Sequence, residues 1–507
     1  MGAKEVTKTV AIVCLFLLAG LCFSAGSALA GPQHYEPTWQ SLTQHPIPEW
    51  LRDAKFGIYT HWLVSSVPAC GNNGSWYPHN MYRKGTKQGD YHVKHYGGPE
   101  KFGFKDFIPM FKAEKFNAND WADLFKASGA RFAGPVAEHH DGFAMWDTKW
   151  TKWNSVKMGP HRDIVGELAK AIKARGMKYV TAFHHAENWY FYPVWDKRFD
   201  CSNPAYSGLY GPIHAKGEKP SEEFMKKWQG KIIEVINKYD PDFIWFDFQL
   251  DKMREDYVKD FLAYYYNKAN KEHKEVIVSY KGHDLVPGAG IVDLELGRMD
   301  KLTYHCWITD TSVDDQGAWS YVQDAGFKSA NTLIDNLIDR VAKNGFLLLN
   351  VGPKPDGTIP EVARQRLLEM GAWLKINGEA IYGTRPWVVA EEGPTKIGKS
   401  GSFNERNEVS YSGKDIRFTC KGDNLYAMCL AWPGDEIRIK NLKRLHEGEI
   451  KSVSMLGSSE KLDWSFDGKR GLTIKCPKKK PCDYAYAFKI VRQYLAGDRL
   501  AVGGAGS

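Results

Sequence analysis

The run Pro241-Asp242-Phe243-Ile244-Trp245-Phe246-Asp247 is hydrophobic at its centre and ends in a carboxylate. A buried strand excludes charge, so an acid at its carboxyl end marks a place where chemistry can be assembled. The same juxtaposition recurs along the chain. His61 closes one apolar run, His139 and His140 a second, His184 and His185 a third, and Glu295 a later one. A single such histidine is more often a satisfied structural residue than a site residue, but five in this arrangement describe a polar site. Two chemistries fit it. Clustered His and Asp side chains can hold a catalytic metal. Alternatively, histidines can bond hydroxyls, tryptophans can cover sugar rings, and two carboxylates can cleave a glycosidic bond. Metal-binding barrels favour His-x-His with well-separated later ligands, whereas these histidines come in adjacent pairs. A regular strand sends only one of each pair inward. Trp62, Trp76, Trp146, Trp189, Trp245 and Trp319 surround these runs and favour the sugar pocket.

Such residues act together only if the scaffold gathers the strand ends, which a (β/α)8 barrel does at its carboxyl face. Strand and helix patterns alternate from about residue 55. The strand candidates are 56–60, 131–137, 178–183, 241–247, 275–279, 291–295, 302–307 and 345–351. Asn119 is a candidate cap for the first helix, and Ile164, Val165, Leu168, Ala171 and Ile172 share one face of the next. No helix is legible between the sixth and seventh strands. No Gly-rich nucleotide fingerprint appears, which favours a closed barrel over an open doubly wound sheet. Past Trp387 the texture changes to short alternating segments around 416–419, 425–428 and 485–488, as in a small antiparallel β-sandwich. The expected organisation is an α/β chain: a leader over 1–30, a catalytic barrel over 31–386, a sandwich over 387–495 and a disordered tail over 496–507.

The leader has basic Lys4 and Lys8, an apolar run from Val10 to Leu21, and the small-residue site Ser27-Ala28-Leu29-Ala30. That pattern predicts export to the periplasm or the extracellular space, with no membrane insertion after cleavage at Gly31. Seven cysteines follow the leader, an odd number, so at least one thiol stays free or bonds intermolecularly. Cys420, Cys429, Cys476 and Cys482 are close enough in sequence to pair among themselves. A net charge of +8 permits an acidic polysaccharide partner, although a mildly basic surface explains it as well. Nothing in the motifs points to nucleic acid. The 18 tryptophans raise the prospect of carbohydrate binding without deciding it.

Three motifs narrow the choice: Phe56-Gly57-Ile58-Tyr59-Thr60-His61-Trp62, Glu138-His139-His140-Asp141-Gly142-Phe143-Ala144-Met145-Trp146, and the run ending at Asp247. Together with Trp76-Tyr77, Met81-Tyr82 and Asn344 to Pro353, in this order over roughly residues 40–390, they resemble the retaining α-L-fucosidases of glycoside hydrolase family 29. The resemblance implies a barrel followed by a β-sandwich, and an exo-acting enzyme that releases terminal α-L-fucose by double displacement without metal or organic cofactor. It implies that Asp247 is the nucleophile, that His61, Trp76, His139 and His140 grip fucose, and that Trp245 borders the nucleophile. Glu295 is the first choice for the acid/base, with Asp293 and Glu187 in reserve. Trp307 is followed by Ile308, which removes another position some members use.

The chain also departs from the pattern. Phe248 follows the nucleophile position where glycine is common. Lys281 stands where many members carry arginine, and His184-His185 where aromatic and small residues are usual. His184, Lys281 and Trp319 complete the candidate binding set. These departures lie on the leaving-group side and bear on substrate choice. The expected substrate is a fucosylated glycan or a fucoidan-type polysaccharide. An inactive sugar-binding protein on the same scaffold and a metal-dependent barrel hydrolase are the alternative readings.

Overall fold

The computed structural model describes residues 34–405 and 409–493. The leader over 1–30 and the tail over 496–507 lie outside the described residues. Eight parallel strands close into a barrel in sequence order. They are β1 (Phe56–Thr60), β2 (Phe132–Glu138), β3 (Lys178–Phe183), β4 (Phe243–Phe246), β5 (Ile277–Lys281), β6 (Ile291–Asp293), β7 (Trp307–Ser312) and β8 (Gly345–Val351). Closure is made by β8 against β1, with Gly57 opposite Leu348. Helices α1 (Ala118–Ala127), α2 (Ile164–Ala174), α3 (Glu222–Tyr239), α4 (Glu255–Lys271), α5 (Ala330–Ala342) and α6 (Glu361–Asn377) lie along the chain between and after these strands.

The strands are buried on both faces, which is why they read as continuous apolar runs. Alternation still sorts their side chains. Tyr59, Phe132, Val136, Val180, Phe243, Trp245, Ile277 and Phe346 fill the barrel interior, whereas Ile58, Ile244, Phe246 and Val278 pack outward in the helix layer. Gly57 admits no side chain, because a Cβ there would stand 2.2 Å from the Phe132 ring.

Two expectations shift. The cap of α1 is Asn117, whose side chain accepts from the Asn119 and Asp120 amides, so Asn119 is already helical. The seventh strand begins at Trp307 instead of ending there. The apolar stretch expected to form it is surface chain, with Tyr304 92% exposed. The true strand reads Trp-Ile-Thr-Asp-Thr-Ser, and its polar side chains are buried because each finds a partner. Between β6 and β7 no helix intervenes, as the pattern indicated.

Strands β9 (Arg385–Glu392), β10 (Ile416–Lys421), β11 (Asn424–Cys429), β12 (Glu436–Ile439), β13 (Ile450–Met455), β14 (Trp464–Asp467), β15 (Gly471–Lys475) and β16 (Tyr486–Arg492) form two antiparallel sheets. One has the order β13-β16-β11-β10-β9 and the other β12-β15-β14. Phe418, Leu425, Ile439, Leu472, Ile474 and Phe488 share their core. The late cysteines do not pair. Cys420 faces Leu425 and Cys429 faces Ile416, at opposite ends of one hairpin, and all seven described cysteines are free thiols.

Candidate active site

Asp247 follows the last residue of β4, where its backbone N–H still donates to Phe183 O (3.2 Å) and so keeps strand register. Its carboxylate is held from two sides. His184 Nδ1–H donates to Oδ2 at 2.9 Å, and His140 Nε2 stands 3.3 Å from the same oxygen. The other nitrogen of His140 lies 2.9 Å from His184 O, so both ring nitrogens face acceptors, an arrangement that favours the doubly protonated ring. Burial opposes that charge, but the bond to Asp247 and its negative charge outweigh it and raise the His140 pKa. The Asp247 carboxyl is itself buried, yet the His184 and His140 contacts and the Lys281 charge hold it well below the usual carboxylate range.

The other histidines around Asp247 shift the opposite way. Burial pushes His61 and His139 well below the ordinary value, and His184 to about 4. Asn350 on β8 fixes the tautomer of His61. Its Nδ2 donates to Ser312 Oγ (2.9 Å) and Trp319 O (2.7 Å), so Oδ1 is left to accept from His61 Nδ1 (2.8 Å). His61 Nε2 therefore carries a bare lone pair that can accept a hydroxyl proton. His184 Nε2 and His139 Nδ1 are buried without a hydrogen-bond partner. The rings of His61, His139 and His184 stand 4.3–5.5 Å apart, centroid to centroid. One nitrogen from each lies within 4.8 Å of the others, as do atoms of His140, His184 and Asp247, so either trio offers enough ligand atoms for a divalent cation.

Adjacent histidines resolve in two ways. At the end of β3, His184 turns inward and His185 outward, where His185 Nε2 meets Trp228 O (3.2 Å). At the end of β2 the pairing register shifts between Val136 and Glu138, and His139 and His140 lie beyond the strand, so both reach the site. Trp76 stands edge-on to His140 (5.5 Å), Trp245 lies 4.9 Å from His184, and Trp319 lies 5.3 Å from His61. Trp62, Trp146 and Trp189 do not join them. Trp62 packs on Phe111, Phe116 and Trp121, Trp146 bonds Glu234, and Trp189 stacks on His214.

Lys281, the last residue of β5, is buried amid acids. Its ammonium donates to Asp310 Oδ1 (2.9 Å) and Glu295 Oε2 (3.1 Å), and lies 3.4 Å from Asp293 and 4.0 Å from Asp247. Its contacts are thus carboxylates and the rings of Trp245 (4.8 Å) and Phe248 (5.4 Å). Glu295 sits just beyond β6, and burial together with the Asp310 and Asp247 charges, against the pull of Lys281, pushes its carboxyl up to about 7. Asp293 accepts from Trp245 Nε1 (2.7 Å) and the Asp310 amide (3.0 Å), and burial together with the Asp310 charge pushes its carboxyl well above the usual range. Glu187 is mostly buried, its pKa raised by burial against the opposing charge of His140. Three site residues escaped the sequence reading: Asp310, Tyr59 (whose OH donates to Asp310 Oδ2 at 2.9 Å) and Asn350. A buried-strand reading that permitted acids and amides at the carboxyl ends of β7 and β8 could have found Asp310 and Asn350.

A closed barrel whose carboxyl face holds Asp247 below the usual carboxylate range and Glu295 and Asp293 above it has the equipment of a glycoside hydrolase. Comparison with known proteins defines it further. Residues 22–379 match the family described as alpha-L-fucosidase, and residues 410–491 match the alpha-L-fucosidase C-terminal domain. Tissue alpha-L-fucosidase of Rattus norvegicus is 33% identical over 91% of this chain and 93% of its own. The Homo sapiens counterpart is 32% identical over 95% and 96%. The solved alpha-fucosidase of Thermotoga maritima in complex with fucose superposes with a TM-score of 0.73 at 31% identity, covering 90% of this chain and all (100%) of that one. The chain belongs to the α-L-fucosidase family, and it is a glycoside hydrolase of that type.

Proposed function

We propose that the chain is an exo-acting, retaining α-L-fucosidase in which Asp247 is the nucleophile and Glu295 the acid/base. The observation that carries this reading is the opposite protonation of two carboxyls around one ammonium: Asp247 held ionised, Glu295 pushed up to about 7, both within 4.0 Å of Lys281 Nζ. Retention needs two carboxyls close together, about 5–5.5 Å apart, which favours such a shared partner. The hydrogen bonds to Asp247 fall on Oδ2, so Oδ1 is the oxygen free to attack.

In the first step Asp247 Oδ1 forms a bond to C1 of the fucosyl unit as the C1–O bond to the leaving group breaks. The departing oxygen takes the proton of Glu295. In the second, Glu295 removes a proton from water, the water oxygen bonds to C1, and the ester to Asp247 breaks, restoring both carboxyls. Neutral His61, His139 and His184 accept hydroxyl protons of fucose, Trp76 and Trp319 border the ring, and Trp245 fixes Asp293. Lys281 binds carboxylates rather than sugar, holding the negative cluster together. The substrate is a glycan with terminal α-L-fucose, met outside the cell after removal of the leader. Amino-terminal sequencing of the exported protein checks the latter by a start at Gly31.

Proton NMR of the first turnovers tests the mechanism. Release of α-L-fucose supports double displacement, and initial β-L-fucose overturns it. A metal-assisted hydrolase is the second reading, favoured by the His61–His139–His184 cluster. Undiminished hydrolysis after exhaustive EDTA treatment removes it.

A further inference from the structure

Between β9 and β10 the chain leaves its own sheet and returns to the catalytic face of the barrel. Phe403 N–H donates to Glu295 O (2.7 Å), Glu405 N–H donates to Leu296 O (2.8 Å), and Arg298 and Gly401 exchange two backbone bonds (3.2 and 2.8 Å). The returning segment is therefore bonded to the very loop that carries Glu295. The Glu405 carboxylate anchors it from below, accepting from Asn336 Nδ2 (2.5 Å) and lying 3.4 Å from Arg340.

This return encloses a cavity of about 410 Å³ whose walls include Glu295, Trp319, Asn73, Gln316, Asn336 and Phe403. Glu295 and Trp319 also belong to the fucose site, so the cavity continues outward from the acid. Phe403 is 49% exposed and adopts a left-handed backbone (φ 60°), uncommon for a bulky residue, between its flanking bonds. Its ring lies nearly parallel to Phe248 (17°, 6.5 Å), the residue that replaces the usual glycine after the nucleophile position. An exposed aromatic face beside side-chain amides suits a sugar, which has an apolar C–H face and a rim of hydroxyls.

Charge narrows the sugar further. Lys328 gives its ammonium to Thr311 Oγ1 (2.8 Å) and Ser312 O (2.7 Å), and Arg298 Nη2 donates to Asn404 O. Of the acids in the cavity wall, Asp335 is pushed up to about 8 and Glu295 to about 7, and Glu405 is paired with Arg340 (3.4 Å) and Lys328 (3.9 Å), while Asp315 has no ion pair among the described residues. A sulfate ester placed there would meet Asp315 and no free cation among the described lining residues.

We propose that this cavity is the leaving-group subsite and that it takes an uncharged pyranose, seated against Phe403 and bonded by Asn73, Gln316 and Asn336. The assignment rests on the reading of Glu295 as the acid. It makes the segment after β9 a determinant of which glycans are cut, with sulfated leaving groups disfavoured.

The test compares a neutral fucosyl disaccharide, its analogue sulfated on the leaving-group sugar, and α-L-fucosyl fluoride, which has no leaving-group sugar. The wild-type enzyme is expected to cleave the neutral disaccharide at least roughly 10-fold more efficiently than the sulfated one, about one decade of binding discrimination. Phe403→Ala should lower the ratio of disaccharide to fluoride kcat/KM by roughly 10-fold, mostly through KM, and Phe403→Tyr should restore it. Equal loss on disaccharide and fluoride, or wild-type preference for the sulfated compound, overturns the proposal. Glu295→Ala on the same substrates separates the two readings. If it slows the disaccharide but not the fluoride while Phe403→Ala shows no split, only the subsite fails; if it slows both equally, the acid assignment fails.

Discussion

Lys281 explains how two carboxyls that share its ammonium differ in their hold on a proton. Four acids surround its ammonium, and all four cannot be ionised around a single positive charge. Asp247 has further help from His184 and His140, so it keeps its charge. Glu295 has burial and two neighbouring acids against it, so it holds its proton to about 7. The pH dependence follows from those directions. With Glu295 as the proposed acid, it loses its proton as pH rises through about 7, so kcat/KM for a natural fucoside is expected to fall on the alkaline side. Asp247, held well below the usual range, stays ionised through weak acid and gives no limb there. Glu295→Ala should reduce hydrolysis of a fucosyl disaccharide by roughly 10²–10⁴-fold, remove the alkaline limb of the disaccharide profile, and leave the first step on fucosyl fluoride, which needs no proton, nearly unchanged. An alkaline limb that persists at the same pH in that variant contradicts the assignment.

The strand ends put these residues in place, and the elements differ in how clearly the sequence announces them. β1, β3 and β8 were legible to the residue, because buried parallel strands leave uninterrupted apolar runs. β7 was not, since Thr309, Asp310 and Ser312 look like loop until their partners on β1, β5, β8 and the loop after β6 are known. Asn350 was hidden in a strongly apolar strand for the same reason: its value lies in who faces it. The inward turn of both His139 and His140 depends on a register shift that periodicity does not encode. A second element-level device was also invisible. Arg417 on β10 donates to Asp339 Oδ1 on α5 (2.5 Å) and lies 3.4 Å from Glu391 on β9, fully buried. Arg417→Leu leaves two acids with Lys343 as their remaining cation, and should cost about 3 kcal/mol, the lower end for breaking a buried pair. The midpoint of urea unfolding checks this; an unchanged midpoint contradicts it.

For the whole molecule, the barrel supplies catalytic groups from its strand ends and the later chain supplies a wall. The antiparallel sheets pack against α5 through Arg417, and the segment between β9 and β10 bonds the loop of Glu295. Glu295, the proposed acid, thus sits on a barrel loop braced from outside the barrel. The central claim is that Asp247 carries the fucosyl unit between the two steps. A 2-deoxy-2-fluoro-fucosyl donor with a good leaving group slows the second step more than the first, so the intermediate accumulates and can be mapped by peptide mass spectrometry. The account predicts one equivalent of label on the peptide containing Asp247, with loss of activity in step with labelling. Label on Glu295 or any other side chain, or full turnover without a covalent species, would contradict it.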